Sequence, residues 1–401
     1  MARFSPDGKH VAFDFGATEK PAPKDIFTIE LTSGREVALI EHPANDEFLG
    51  WLPDGKGILF ASDRTSVRGL WTIEVSNGRP VGAPVLLKRD FAGEPVGFAT
   101  DGSYYFGKPT TSRNVSVATL DESDTNFETA PQHVSSQFVH STSSSDWSPD
   151  GKSLAFKARL QDAAESSAIA IYSAATGRER IVEPSPGLAF IPMWRKGPVQ
   201  WSPDGQALYV AATRLTGERG IFRIDLTSGA TQLVIAHGDV RNPLPTPDGK
   251  ALYFRVGWRS LFRRDLLTGD EDEIYQSKLF IDGLDLSPDG NWIAILQGGD
   301  SIVVMSADGG EPREVVHLDE AELTQFCRRF VTWTPDGKHL LFSKRSREIW
   351  RVNVETGQQQ QIGSEIPGLF RATMHPDGKR IAFTTFEQSS ELWVMENFLP
   401  E

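Results

Sequence analysis

The chain has 401 residues, and its 54 acidic against 41 basic side chains leave a formal net charge of −13, which disfavours nucleic acid or an anionic membrane as a partner of this domain. Hydrophobic residues make up 39 % and aromatics 10 %, enough for a packed core and too much for a disordered chain. No apolar run approaches the roughly 18 residues needed for a span, so direct membrane insertion is excluded on that pattern, and the single Cys327 excludes a disulfide framework.

From the N-terminus onward the chain repeats itself. Nine times a strand-like run breaks at Pro-Asp-Gly or a close relative: Ser5-Pro6-Asp7-Gly8, Leu52-Pro53-Asp54-Gly55, Ala99-Thr100-Asp101-Gly102, Ser148-Pro149-Asp150-Gly151 and Ser202-Pro203-Asp204-Gly205. The series continues as Thr246-Pro247-Asp248-Gly249, Ser287-Pro288-Asp289-Gly290, Thr334-Pro335-Asp336-Gly337 and His375-Pro376-Asp377-Gly378. Successive motifs lie on average about 46 residues apart, a spacing that marks propellers and other repeat folds. Proline presets φ at the second turn position, the aspartate accepts nearby backbone N–H groups, and glycine takes the left-handed position.

The residues after each turn alternate at period two, as in Val11 and Phe13, Ile58 and Phe60, Leu154 and Phe156, or Leu340 and Phe342. That is the pattern of a strand with one buried face. A third strand follows (Ile26–Ile29, Leu70–Ile73, Ile221–Ile224, Ile349–Val352), then a second turn such as Thr227-Ser228-Gly229, then a short fourth strand such as Arg313–Val316. Four antiparallel strands per repeat make one propeller blade. The expected fold class is therefore all-β: a single β-propeller of about eight or nine four-stranded antiparallel blades. Its domain spans 1–401, with units starting near residues 1, 48, 95, 143, 197, 241, 282, 328 and 370. The third unit is degenerate, with Thr100 in place of proline. The ninth stops after its third strand near Phe398, so either a segment upstream of Met1 supplies its closing strand or the ring closes imperfectly.

The segments Trp147-Ser148-Pro149-Asp150-Gly151-Lys152 and Trp333-Thr334-Pro335-Asp336-Gly337-Lys338 resemble the TolB-type β-propeller repeat, and the resemblance covers practically the whole chain. That family includes periplasmic TolB, sensor-like domains of bacterial regulators and the non-catalytic propellers of some peptidases. The resemblance implies that the turn aspartates Asp7, Asp54, Asp150, Asp204, Asp248, Asp289, Asp336 and Asp377 are structural, and it carries over no catalytic residue. It implies a bacterial, periplasmic location, or a cytoplasmic one if Met1 is the true start, because Met1–Asp7 has no apolar signal region. A further domain upstream of this chain is expected with it.

Enzymatic signatures are missing: there is no Gly-x-Ser-x-Gly elbow and no His-Glu-x-x-His helix. The eight histidines are scattered, and His10, His339 and His375 beside the repeat turns read as solvent-facing loop residues. The acidic run Asp121–Asn126 lacks the glycine and terminal glutamate of a calcium loop and reads as a solvated linker. No catalytic residue, metal ligand or cofactor is assigned. Trp51, Trp147, Trp201 and Trp333 recur at equivalent positions, which reads as packing between blades. Departures from the repeat mark candidate binding residues. An insertion around Met193-Trp194-Arg195 stretches the interval between Pro149 and Pro203 to about 54 residues, and insertions in propellers map to loops on one face. Arg255, Arg259, Arg263 and Arg264 form a basic group in an acidic protein, although strand alternation separates Arg263 from Arg264. Met193, Trp194, Arg195 and Arg259 are the binding candidates. The expected function is a non-catalytic module that binds a protein or peptide in an envelope or sensor role. The alternative is the propeller of an enzyme, either the gating domain of a peptidase or a lyase with a metal in its channel.

Overall fold

A computed structural model of the chain describes every residue except 17–22, 136–141, 160–166, 186, 190–198, 215, 320–321, 323–329 and 400–401. The repeat turns form as their sequences dictate. In Ser148–Gly151 the Ser148 hydroxyl donates to Asp150 Oδ1 (2.7 Å), which also accepts the Lys152 N–H (3.0 Å), while Ser153 N–H donates back to Ser148 Oγ (2.9 Å). Gly151 sits at φ 68°, left-handed space that a side chain would strain. Asp7, Asp204, Asp248, Asp289 and Asp336 close their turns through the same serine or threonine and the backbone two residues on. These hydrogen bonds to the ionised form hold the carboxyls of Asp7, Asp150, Asp204, Asp248 and Asp289 below the usual range. Asp54 accepts the Lys56 N–H, and Asp377 the Lys379 N–H.

The strands of the described residues assemble into eight antiparallel sheets, in the expected range and all-β throughout. Nine repeats give eight sheets because the third and ninth share one. The ninth repeat supplies Leu369–Met374 and Arg380–Met395; the third supplies Tyr104–Thr119 and Gln132–His133, which complete that sheet. The third strand expected in the ninth repeat is instead a continuation of Arg380–Met395, and the strand expected to close that blade comes from the third repeat, whose own second strand runs on for 16 residues. Where the sequence reads as one unit over 1–401, the contacts group the chain into two compact units.

The first unit comprises Met1–Thr110 and Gln388–Glu401. It holds two four-stranded sheets, Ala2–Ile40 and Asp46–Lys88, and the pair Glu94–Phe98 with the start of Tyr104–Thr119. Its core packs Ile26, Leu39, Phe48, Ile58 and Phe60 between the two sheets, and Leu49, Leu70, Phe91, Tyr104 and Phe106 beyond them.

The second unit, Thr111–Glu387, is a closed ring. Its six inner strands are Thr142–Trp147, Gln200–Trp201, Val240–Pro245, Ile281–Leu286, Val331–Trp333 and Leu369–Met374. Each touches the next, and the last returns to the first. A hydrophobic cluster fills every one of the six junctions. Ile169, Trp201 and Phe222 pack at the first, and Val115, Trp147, Phe156 and Ala382 at the junction that closes the ring. The recurring tryptophans Trp147, Trp201 and Trp333 are buried in these junctions, each 5–7 % exposed, and in the first unit Trp51 is packed likewise. His375 corrects its sequence reading. It is 4 % exposed, edge-on to the Trp147 ring at 4.6 Å, with Nε2 2.8 Å from the Gly151 carbonyl oxygen. Its side chain therefore packs into the closing junction and does not face solvent.

Candidate binding site

Two polar constellations arise in the second unit, one in the ring's centre and one at its rim. In the centre, a cavity of about 240 Å³ is lined by Asp146, Gln200, Asp285, Thr332, Arg371 and Thr373 of the inner strands. Asp146 and Asp285 each stand two residues before the turn serine, and each reaches the next blade. Asp146 Oδ2 accepts the Trp201 N–H (3.1 Å), and the Trp201 indole donates to the Asp146 carbonyl (2.9 Å). Asp285 Oδ2 accepts both the Thr332 hydroxyl and the Trp333 N–H at 2.7 Å. These carboxylates are clamps between blades.

Their setting is costly for charge. Burial, with Asp285 nearby, pushes Asp146 up to about 7, and burial raises Asp285 as well. The Arg371 guanidinium offsets part of this repulsion and is itself lowered by burial. Lys157, fully buried behind the inner strands, is pushed down to about 8 by burial and by Arg371. The centre thus brings together two carboxylates and an arginine. Among the described residues no group of three or more His, Cys, Asp or Glu side chains could hold a metal ion.

The second constellation lies at the end of the blade 240–276 opposite its Thr246–Gly249 turn. Antiparallel pairing puts the start of strand Val240–Pro245, the end of Ala251–Val256 and the Gly257–Arg259 loop at that one end. Backbone bonds tie the loops there together: Gly257 N–H to the Asp239 carbonyl, Ser277 N–H to Arg259, and Ile281 N–H to Trp258. On this frame stand Trp258 and Phe280, ring centroids 6.1 Å apart and 44 % and 54 % exposed, with Leu279 also exposed. Arg259 lies over the Phe280 ring at 5.1 Å. Beneath Trp258 lie Arg241 at 4.0 Å and Arg255 at 5.3 Å from its ring centroid, 5 % and 4 % exposed.

Of the sequence candidates, Arg259 belongs to this cluster. Met193, Trp194 and Arg195 lie outside the described residues. Arg264 turns to Glu271 in a salt bridge at 2.5 Å and stands apart from the site. Arg241, Trp258 and Phe280 carried no signal as candidates. Arg241 is 14 residues from Arg255 in sequence, and only the hairpin register sets them opposite each other. The acidic run 121–126 is a closed turn: Asp121, pushed down to about 2 by the Ser123 hydroxyl and backbone N–H groups, ties it, and Lys379 pairs with Asp124 at 2.6 Å.

No family model and no curated protein matches the chain. Solved structures do. TolB from Acinetobacter baumannii is similar at 17 % identity over 75 % of this chain and 62 % of that one, with a TM-score of 0.36, so the chain spans less than two thirds of that protein. A putative TolB from Agrobacterium tumefaciens is similar at 18 % identity over 69 % of this chain and 99 % of that one, with a TM-score of 0.52. A chain of a nidogen–laminin complex gives 11 % identity, coverage of 68 % and 98 %, and a TM-score of 0.46.

Proposed function

From the TolB-like β-propeller fold that this chain adopts, we propose that it is a binding module whose second unit docks a protein or peptide at the rim cluster of Trp258, Arg259, Leu279 and Phe280. The observation that carries the reading is the composition of that surface. Large aromatic side chains stand half-exposed on loops pinned by backbone hydrogen bonds, with arginines stacked on them. Tryptophan, tyrosine and arginine are the residue types that dominate binding hot spots, and a rigid frame lowers the ordering cost of association. The envelope or sensor role, a periplasmic location and a further domain upstream are parts of the same proposal, supported by the repeat resemblance. The absence of a Gly-x-Ser-x-Gly elbow from the chain supports a non-catalytic role.

The test is quantitative co-purification of the tagged chain from its source cells, beside a Trp258→Ala/Phe280→Ala variant and a Lys338→Ala control next to the Thr334–Gly337 turn of another blade. A near-stoichiometric partner that the rim variant loses and the control keeps supports the reading. A partner retained by the rim variant, or none with the wild type, overturns it. Fractionation of the same cells tests the location.

A further inference from the structure

Arg241 and Arg255 are paired residues of adjacent antiparallel strands, so their side chains rise from the same face of the sheet. Both are more than nine-tenths buried. Arg241 donates from Nε and Nη2 to Asp239 Oδ1, at 3.2 and 2.8 Å, which leaves its Nη1. Arg241 Nη1, Arg255 Nε and Arg255 Nη1 are buried without a hydrogen-bond partner. Two like charges placed side by side with orphaned donors are an expensive arrangement in a protein interior. The cation–π contacts with Trp258 place both guanidiniums near the ring but give these N–H groups no hydrogen-bond acceptor.

We infer that Arg241 and Arg255 form a carboxylate-binding pocket, and that the partner presents there an acidic side chain or chain terminus next to an apolar group seated on Trp258 and Phe280. The inference rests on the protein-binding reading of the same rim. Geometry points to the class of anion: three orphaned N–H groups on two adjacent guanidiniums match the planar, two-oxygen fork of a carboxylate. Asp239 already shows the chemistry, since its carboxylate takes the two N–H groups that Arg241 turns away from the pocket. Burial, with Arg241 beside it, pushes Arg255 down to about 10, the direction relieved by a bound anion.

The probes are N-acetyl-phenylalanine, its neutral amide and inorganic phosphate, observed by saturation-transfer NMR on the full chain. The acid is expected to give at least fivefold more transfer than the amide, to lose it in Arg255→Met, and to resist displacement by an equal concentration of phosphate. Arg241→Met carries the test if Arg255→Met does not fold. Equal transfer from acid and amide, or unchanged transfer in both variants, overturns the pocket. Displacement by phosphate overturns the choice of carboxylate. Absent acid binding together with a rim-dependent protein partner overturns this inference alone and leaves the protein-binding reading standing. Acid binding without any protein partner overturns the protein-binding reading and the partner's part of this inference, and leaves only the carboxylate pocket.

Discussion

Replacing Asp146 by asparagine isolates the electrostatic cost of the ring's centre. Asparagine keeps an oxygen to accept the Trp201 N–H and removes the charge. Asp146 has a folded pKa of about 7, above the ordinary aspartate value near 3.9 that the unfolded chain recovers. The folded protein therefore binds the proton more tightly, and wild-type stability falls as pH rises from about 4 to about 7. A shift of roughly 3 units caps the penalty at about 4 kcal/mol above pH 7. Because Asp146 lines a cavity and is only half-buried, solvent screening reduces this to about 1–2 kcal/mol. Asp146→Asn is accordingly expected to stabilise the protein at pH 8 by that amount, to gain progressively less towards pH 4, and to gain nothing below it. Urea unfolding followed by tryptophan fluorescence reads the difference as a midpoint rise of about 0.5 M, for a slope near 3 kcal/mol/M. No gain at pH 8, or an equal gain at pH 8 and pH 4, refutes the reasoning.

Other perturbations separate the elements of the account. Asp285→Ala strands the Trp333 N–H and the Thr332 hydroxyl, and is expected to cost about 2–4 kcal/mol, whereas Asp285→Asn retains most of the stability; urea midpoints at pH 7 distinguish them. Ser202→Ala removes a hydroxyl that bonds Asp204, the Ala207 N–H and the Ala207 carbonyl, for an expected loss of about 1–2 kcal/mol by thermal unfolding. Gly363 has φ 69°, and a Cβ there would collide with the Phe127 ring, so Gly363→Ala is expected to lower the midpoint more than an alanine at an exposed strand position. Trp258→Ala is expected to weaken partner binding at least tenfold while leaving the unfolding midpoint near that of the wild type, because Trp258 is 44 % exposed.

The repeat was readable because proline, aspartate and glycine each have a local mechanical task in the turn, repeated at one spacing. Local chemistry of that kind survives without knowledge of the fold. Blade pairing was not readable. The exchange between the third and ninth repeats depends on Tyr104–Thr119 running through 16 residues without a break, and strand continuation carries no turn signal. The clamps escaped notice for a related reason. In the second unit, Asp146 and Asp285 hold a position that other blades fill with Gln200, Leu244, Thr332 and Thr373, so the carboxylate is a departure that becomes meaningful only once the neighbouring tryptophan N–H is in place. Arg255 stood out as basic in an acidic chain, yet its sequence neighbours Arg263 and Arg264 masked its real companion. The register that pairs it with Arg241 is set by the hairpin, with a bulge beyond Arg241 at Asn242, whose φ is 52°.

Rim binding is decided by site-specific photo-crosslinking in living source cells, with the photoreactive residue at position 258 and, separately, at position 338 beside the Thr334–Gly337 turn of another blade. Binding at the rim requires one dominant protein adduct from position 258 that is absent from position 338. No adduct from 258, or the same set of adducts from both positions, would contradict it.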